Sequence, residues 1–347
     1  MVTAALGLCV VVSTGSCLGQ TSDPVPEWPL DDLLIDSAAL EAVYEGDEVP
    51  PEGELVGEGA LTIGQALVGD NARLRVPLRE GLETANRMIK PGLLILNKIA
   101  RDHEPVEVTD LRISWEVERK GTKHTLVIDR DALRADQFNY RLTVEPVSGD
   151  DVLPRDLVRG FFRPGPRLPD GRQTGEGLLR YEYDAFAVLP EYGVDVRGVG
   201  AIAFKLDDQG RRFNILLDDF VSPRGQSFSS TYQYEVGSDR AGQFCFQIQS
   251  DLIDRFDGDE VLTGAAAWNS NLSAKARAHL EIAETNGVFV DECWDGAGKQ
   301  VWIEWDPELD FEPSDGAESS CEGRLAELEL ELCEFTFVPG EDPSVPQ

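Results

Sequence analysis

From residue 112 to residue 305, apolar side chains return at every second position, and that alternation limits what this chain can fold into more than any other property. Ile113, Trp115 and Val117 are interleaved with Ser114, Glu116 and Glu118. The same period runs through 125–128, 138–144, 179–186, 200–206, 212–220, 228–236, 244–248, 274–282, 288–292 and 301–305. Successive side chains of a strand point to opposite faces, so each segment offers one apolar face and one wet face. Lys120-Gly121, Asp208-Gln209-Gly210 and Asn286-Gly287 separate neighbouring segments, and links this short join antiparallel strands. Residues 146–174 are rich in Pro, Gly and Arg and predict a long loop or a subdomain boundary.

One earlier segment has a different period. Leu78, Leu82, Ala85, Ile89, Leu93, Leu96, Ile99 and Ala100 fall at helical spacing. Pro91-Gly92 interrupts them and predicts a kink or two shorter helices, because proline removes a backbone donor and crowds the preceding turn. Residues 93–96 are apolar all round, which calls for burial on more than one side. The predicted fold is α+β and mostly antiparallel β: a curved sheet or open barrel packed around an N-terminal helix, with a β-sandwich as the alternative.

The formal net charge is −33, and it is concentrated at the ends. Residues 21–60 hold 12 acidic residues and no Lys or Arg, and 301–347 hold 14 against Arg324 alone. Such a surface repels nucleic acid, so no nucleic-acid partner is expected. The segmentation that follows is a signal peptide over 1–17, an acidic Pro-rich tether over 18–60, a single β-rich domain over 61–338 and a disordered tail over 339–347. Within the tether, 30–44 has enough Leu and Ala for a short helix or a transient docking segment.

The apolar run 4–12 is shorter than the roughly 20 residues a membrane-spanning helix needs and suits the core of an export signal. Thr14, Gly15 and Ser16 then lead to Cys17. Small residues before a cysteine fit lipidation of Cys17, although Thr14 replaces the usual leucine-like residue and no basic residue precedes the run. The expectation is export to a bacterial cell envelope, either periplasmic or anchored in the outer membrane, with the membrane as a partner through the lipid. With Cys9 and Cys17 set aside, Cys245, Cys293, Cys321 and Cys333 remain of the six cysteines. Four cysteines without zinc spacing fit two disulfides in an oxidising compartment. The favoured pairs are Cys245 with Cys293 and Cys321 with Cys333.

Chemistry is sparsely signposted. His103, His124 and His279 are far apart and read as surface or turn residues. Residues 296–300 read as a turn rather than a phosphate loop. Asp254, Asp257 and Asp259 surround Gly258 and would suit Ca2+, which favours convergent carboxylates; no other cofactor is implied. Asp218 and Asp219 would suit glycoside hydrolysis, but adjacent strand residues face opposite ways. Trp268, Trp294, Trp302, Tyr181 and Tyr183 fit either a filled β core or an aromatic-lined concavity for a lipid or other hydrophobic ligand.

Asp291-Glu292-Cys293-Trp294-Asp295, preceded by Ala267-Trp268 and Ala276-Arg277-Ala278, resembles a group of uncharacterised secreted lipoproteins common in myxobacteria. So does Gly175-Glu176-Gly177 leading into Tyr181-Glu182-Tyr183-Asp184-Ala185. The resemblance covers roughly 175–305, and it departs at 269–273, where a glycine-rich run is expected. It implies a location and no activity. The functional expectation is a non-enzymatic envelope lipoprotein that binds a hydrophobic ligand or a partner in a curved sheet. The alternatives are an envelope hydrolase using carboxylates and a structural or adhesive surface protein.

Overall fold

The computed structural model describes residues 28–44, 68–147, 153–186, 196–221, 227–250, 260–281, 287–306 and 314–322. A single turn of helix, α1 (Leu30–Leu33), is followed by the long α2 (Arg75–Asp102). Strands then succeed one another: β1 (Glu107–Val108), β2 (Arg112–Arg119), β3 (Thr122–Arg130), β4 (Phe138–Pro146), β5 (Arg155–Pro164) and β6 (Gly175–Glu182). A short helix, α3 (Tyr183–Phe186), precedes β7 (Arg197–Leu206), β8 (Gly210–Val221), β9 (Ser227–Gly237), β10 (Gly242–Ser250) and β11 (Glu260–Trp268). The series ends with β12 (Ala274–Glu281), β13 (Val288–Trp294), β14 (Gln300–Trp305) and β15 (Asp315–Gly316).

All 15 strands form one antiparallel sheet in sequence order. It does not close on itself, so β1 and β15 are its edges. One continuous sheet replaces the β-sandwich alternative. The turns follow the sequence signals: Lys120 and Gly121 both have positive φ, at 48° and 78°, which suits a two-residue hairpin.

Four local expectations are corrected. β5 lies within the predicted loop 146–174 and pairs with both β4 and β6. Its pattern is blurred because adjacent Leu157 and Val158 are both buried. β11 was not anticipated at all: Ala265, Ala266 and Ala267 are all buried, so both of its faces are covered and no alternation is written there. Residues 183–186 form α3 rather than the end of a strand. His124, expected at the surface or in a turn, is buried in β3.

α2 is one element of 28 residues with Pro91 inside it, not two helices. Proline in a helix interior costs about 3 kcal/mol, whereas each fully buried Leu or Ile side chain contributes roughly 1.5–3 kcal/mol. Ile89, Leu93 and Leu96 flank Pro91 and are buried, so packing outweighs the break. α2 meets the sheet along its length. Glu292 of β13 accepts hydrogen bonds from the backbone N–H groups of Arg73 and Leu74 at its start. Phe244 of β10 lies against Gly81, and the Tyr183 hydroxyl donates to the Met88 carbonyl. At the far end, Trp115 of β2 donates to the His103 carbonyl.

Residues 28–44, where a short helix or a transient docking segment is expected within the tether, carry α1 and pack on the body. Trp28, Leu33, Leu34, Ile35, Leu40, Ala42 and Tyr44 are buried in the main core. This strap runs the opposite way to α2. Trp28 donates to the Thr109 carbonyl beside β2, Tyr140 of β4 donates to the Leu33 carbonyl, and Tyr234 of β9 donates to the Val43 carbonyl. Tyr44 reaches Leu272 and Trp294. The strap and α2 are stitched side by side: the Asn86 amide makes both hydrogen bonds of the Ala42 backbone, and the Asn97 amide donates to the Ile35 carbonyl.

Gly92 gives a test of this packing. A Cβ built there would lie 2.3 Å from Tyr181 Cε1 and 3.0 Å from Val158 Cγ2. Gly→Ala normally gains about 1 kcal/mol in a helix interior. Here the clash with a buried ring reverses the sign, and Gly92→Ala should lose about 1–3 kcal/mol by urea denaturation. Unchanged or increased stability would mean that α2 does not lie against Tyr181.

Candidate functional site

The C-terminal third of the sheet brings together Trp268, Trp294, Trp302, Cys293 and Cys321, but on two different faces. On the face toward α2, one cross-strand row runs Phe162, Gly177, Phe204, Phe213, Tyr234, Phe244, Ala266, Ala276 and Glu292. A carboxylate thus ends a row of apolar side chains. Glu292 is fully buried, and its two oxygens accept from Arg73 N at 2.9 Å and Leu74 N at 2.6 Å. Leu74, at the N-cap of α2, has no side chain that can cap the helix, and the first turn contains no acidic residue. Glu292 supplies that cap from more than two hundred residues away, at the positive end of the helix dipole.

Burial raises the Glu292 carboxyl to about 7. The hydrogen bonds from Arg73 and Leu74 and the charge of Arg73 oppose the rise without cancelling it. Beside it, the Trp294 indole donates to the Tyr44 hydroxyl, which donates to the Leu272 carbonyl. Trp268 stands edge-on to Tyr44 and donates to the Arg240 carbonyl. These rings meet protein partners and belong to the main core.

On the opposite face, Lys275, Cys293 and Trp302 stand side by side across β12, β13 and β14. Cys293 is disulfide-bonded to Cys321, with a Cα–Cα distance of 5.9 Å. This replaces both favoured pairings. Cys245 is also disulfide-bonded, to a cysteine outside the described residues. Closing the loop of 28 residues contributes roughly 3–4 kcal/mol on the chain-entropy account. The bond holds Glu318 over the buried Lys275, 2.6 Å from its ammonium group, while that group lies over the Trp302 ring. Next along the same face, Arg277 forms a forked ion pair with Asp291, whose side chain is buried.

Tyr181 and Tyr183 lie elsewhere, stacked with ring centroids 6.2 Å apart. Burial pushes both phenols well above their ordinary range, with mutual or neighbouring tyrosine charge adding to it. The Tyr181 hydroxyl is buried without a hydrogen-bond partner. Asp218 and Asp219 sit in an irregularity of β8, both exposed, with Asp219 at φ 47°. The two side chains of this bulge do not converge on a shared site with Glu292. Cys17, Cys333, Asp254, Asp257 and Asp259 lie outside the described residues. Among the described residues, no three His, Cys, Asp or Glu side chains gather as a metal site, and no helix is long and apolar enough to cross a membrane.

No family model, no curated protein and no solved structure matches this chain.

Glu292 is the residue that the sequence reading passed over. Its signal was an acid at an inward position of an alternating strand, between Val290 and Trp294. Its carboxyl titrates near 7 in the fold and near 4.5 when unfolded. The native state therefore binds the extra proton, so its contribution is fully present below pH 4.5 and is lost as pH rises through 7. The stability of the wild type relative to Glu292→Gln should fall by about 3 kcal/mol between pH 4 and pH 8 in denaturant titrations. A flat difference would mean that Glu292 is ionised and solvated.

Proposed function

We propose that the sheet curls as an open barrel around α2, and that the protein is a lipid-anchored cell-envelope protein acting by binding rather than catalysis. The curvature follows from lengths. α2 touches β13 at one end and β2 at the other. A helix of 28 residues is about 42 Å long. The eleven strand spacings between β2 and β13 amount to about 53 Å along the sheet. A chord shorter than its arc supports a sheet that bows around the helix.

The observation that carries the binding reading is how the inner face is used. Its aromatic residues meet α2 and the strap, and its buried carboxylate has both oxygens engaged in capping α2. The interior is thereby committed to holding the body together, which leaves the outer surface and the ends for partners. Export fits the disulfide between Cys293 and Cys321. A second reading, a carrier of an amphipathic ligand, is favoured by one feature: the buried Tyr181 hydroxyl has no partner, and a ligand's polar group would satisfy it.

Native mass spectrometry of the unreduced protein from its own envelope tests these readings. The binding reading expects a diacylglycerol-type adduct on Cys17, two disulfides and no passenger, and Cys17→Ser should move the protein to the soluble fraction. A separable apolar passenger would replace it with the carrier reading. An unmodified Cys17 would overturn the anchor.

A further inference from the structure

The strap enters the body at one corner, where two exposed leucines stand beside the buried Trp28. Trp28 is fixed there by its indole hydrogen bond to the Thr109 carbonyl and by the Arg130 guanidinium, 5.3 Å from its ring. Two loops flank it. The β1–β2 turn carries Leu111, which is 56% exposed, and the Leu111 carbonyl accepts from Arg130 N. The β3–β4 loop carries Leu133, which is 96% exposed.

Leu133 is not on a loose loop. Asp131 Oδ1 accepts from the backbone N–H groups of Leu133 and Arg134, and Asp131 Oδ2 accepts from the Asn139 amide. Gln137 N donates to the Arg134 carbonyl, and Asp131 N to the Gln137 carbonyl. These donors hold the Asp131 carboxyl below its ordinary range. A loop this well braced presents its one large apolar side chain to solvent, next to the loop that exposes Leu111.

We propose that this corner, Leu111 and Leu133 beside Trp28, is the face of the protein that rests on the lipid bilayer. The inference depends on the reading that Cys17 carries the lipid anchor. Eleven residue steps join Cys17 to Trp28, a reach of at most about 38 Å. That is shorter than α2, at about 42 Å, so the corner holding Trp28 is kept nearer the anchor than the far end of the strap at Tyr44. The charges around it are mixed: exposed Asp110 and Asp136 and half-buried Asp131 stand against exposed Arg112 and Arg134. Attraction to an anionic surface is therefore not the driving force. The two leucines enter the apolar boundary of a zwitterionic membrane, as interfacial anchors do.

The test uses the lipidated protein purified from its envelope, with a nitroxide on Leu133→Cys, reconstituted in phosphatidylcholine–phosphatidylethanolamine vesicles. Oxygen dissolved in lipid should relax this label more than an aqueous nickel chelate does. A label on Lys120→Cys, in the β2–β3 turn at the opposite end of the strands, should show the reverse. Where the added cysteine mispairs, Leu133→Trp gives the same reading through quenching of its added emission by brominated phosphatidylcholine. A lipidated protein whose residue 133 stays in water overturns the corner and leaves the anchor standing. Mass spectrometry showing no lipid on Cys17 overturns the anchor, and the corner with it.

Discussion

The contacts that tie α2 to strands from β2 to β13 are the constraint on which the rest of the structure depends. Fifteen antiparallel strands in sequence order bring local hydrogen bonding almost for nothing in topology, but they leave one long apolar surface to be buried. Leu78, Leu82, Ile89, Leu93 and Leu96 bury one face of α2. Gly92 lets the Tyr181 ring approach the helix closely, so glycine is there for space and not to end the helix. Glu292 completes the arrangement by holding the N-terminus of α2 to β13, at the cost of burying a carboxyl group.

The strap extends the same logic. It runs beside α2 in the opposite direction, and Asn86 and Asn97 join the two through backbone hydrogen bonds. Its own tyrosine, Tyr44, is the junction where strap, β13 and the β11–β12 turn meet. An acidic, proline-containing composition therefore coexists with a firmly docked segment, because seven apolar side chains over 28–44 outweigh the character of their neighbours.

On the other face, the disulfide between Cys293 and Cys321 brings a short C-terminal piece over Lys275 and Trp302. A lysine that is nearly excluded from water is tolerated because Glu318 supplies the countercharge and Trp302 a polarizable face. The two faces of β13 thus do different work. Glu292 and Trp294 secure the helix and the strap, while Asp291 pairs with Arg277 of β12 and Cys293 secures the outer covering.

Period and turn chemistry made most of the sheet legible, since an alternating strand with one wet face writes its geometry into its residues. β11 escaped because both its faces are covered, and β5 because adjacent Leu157 and Val158 are both buried. The helix was legible from its spacing, but not its continuity through Pro91, because propensity is local and the compensating burial is not. Cysteine number pointed to disulfides without fixing partners, since the pairing depends on which strands lie next to which. The sequence by itself determined an antiparallel β chain with one long amphipathic helix, because periodicities of two and near four are properties of neighbouring residues. Only the tertiary structure decided that 28–44 is core, that Glu292 caps α2, and that Cys293 meets Cys321, because each joins residues far apart in the chain whose contact no local pattern encodes.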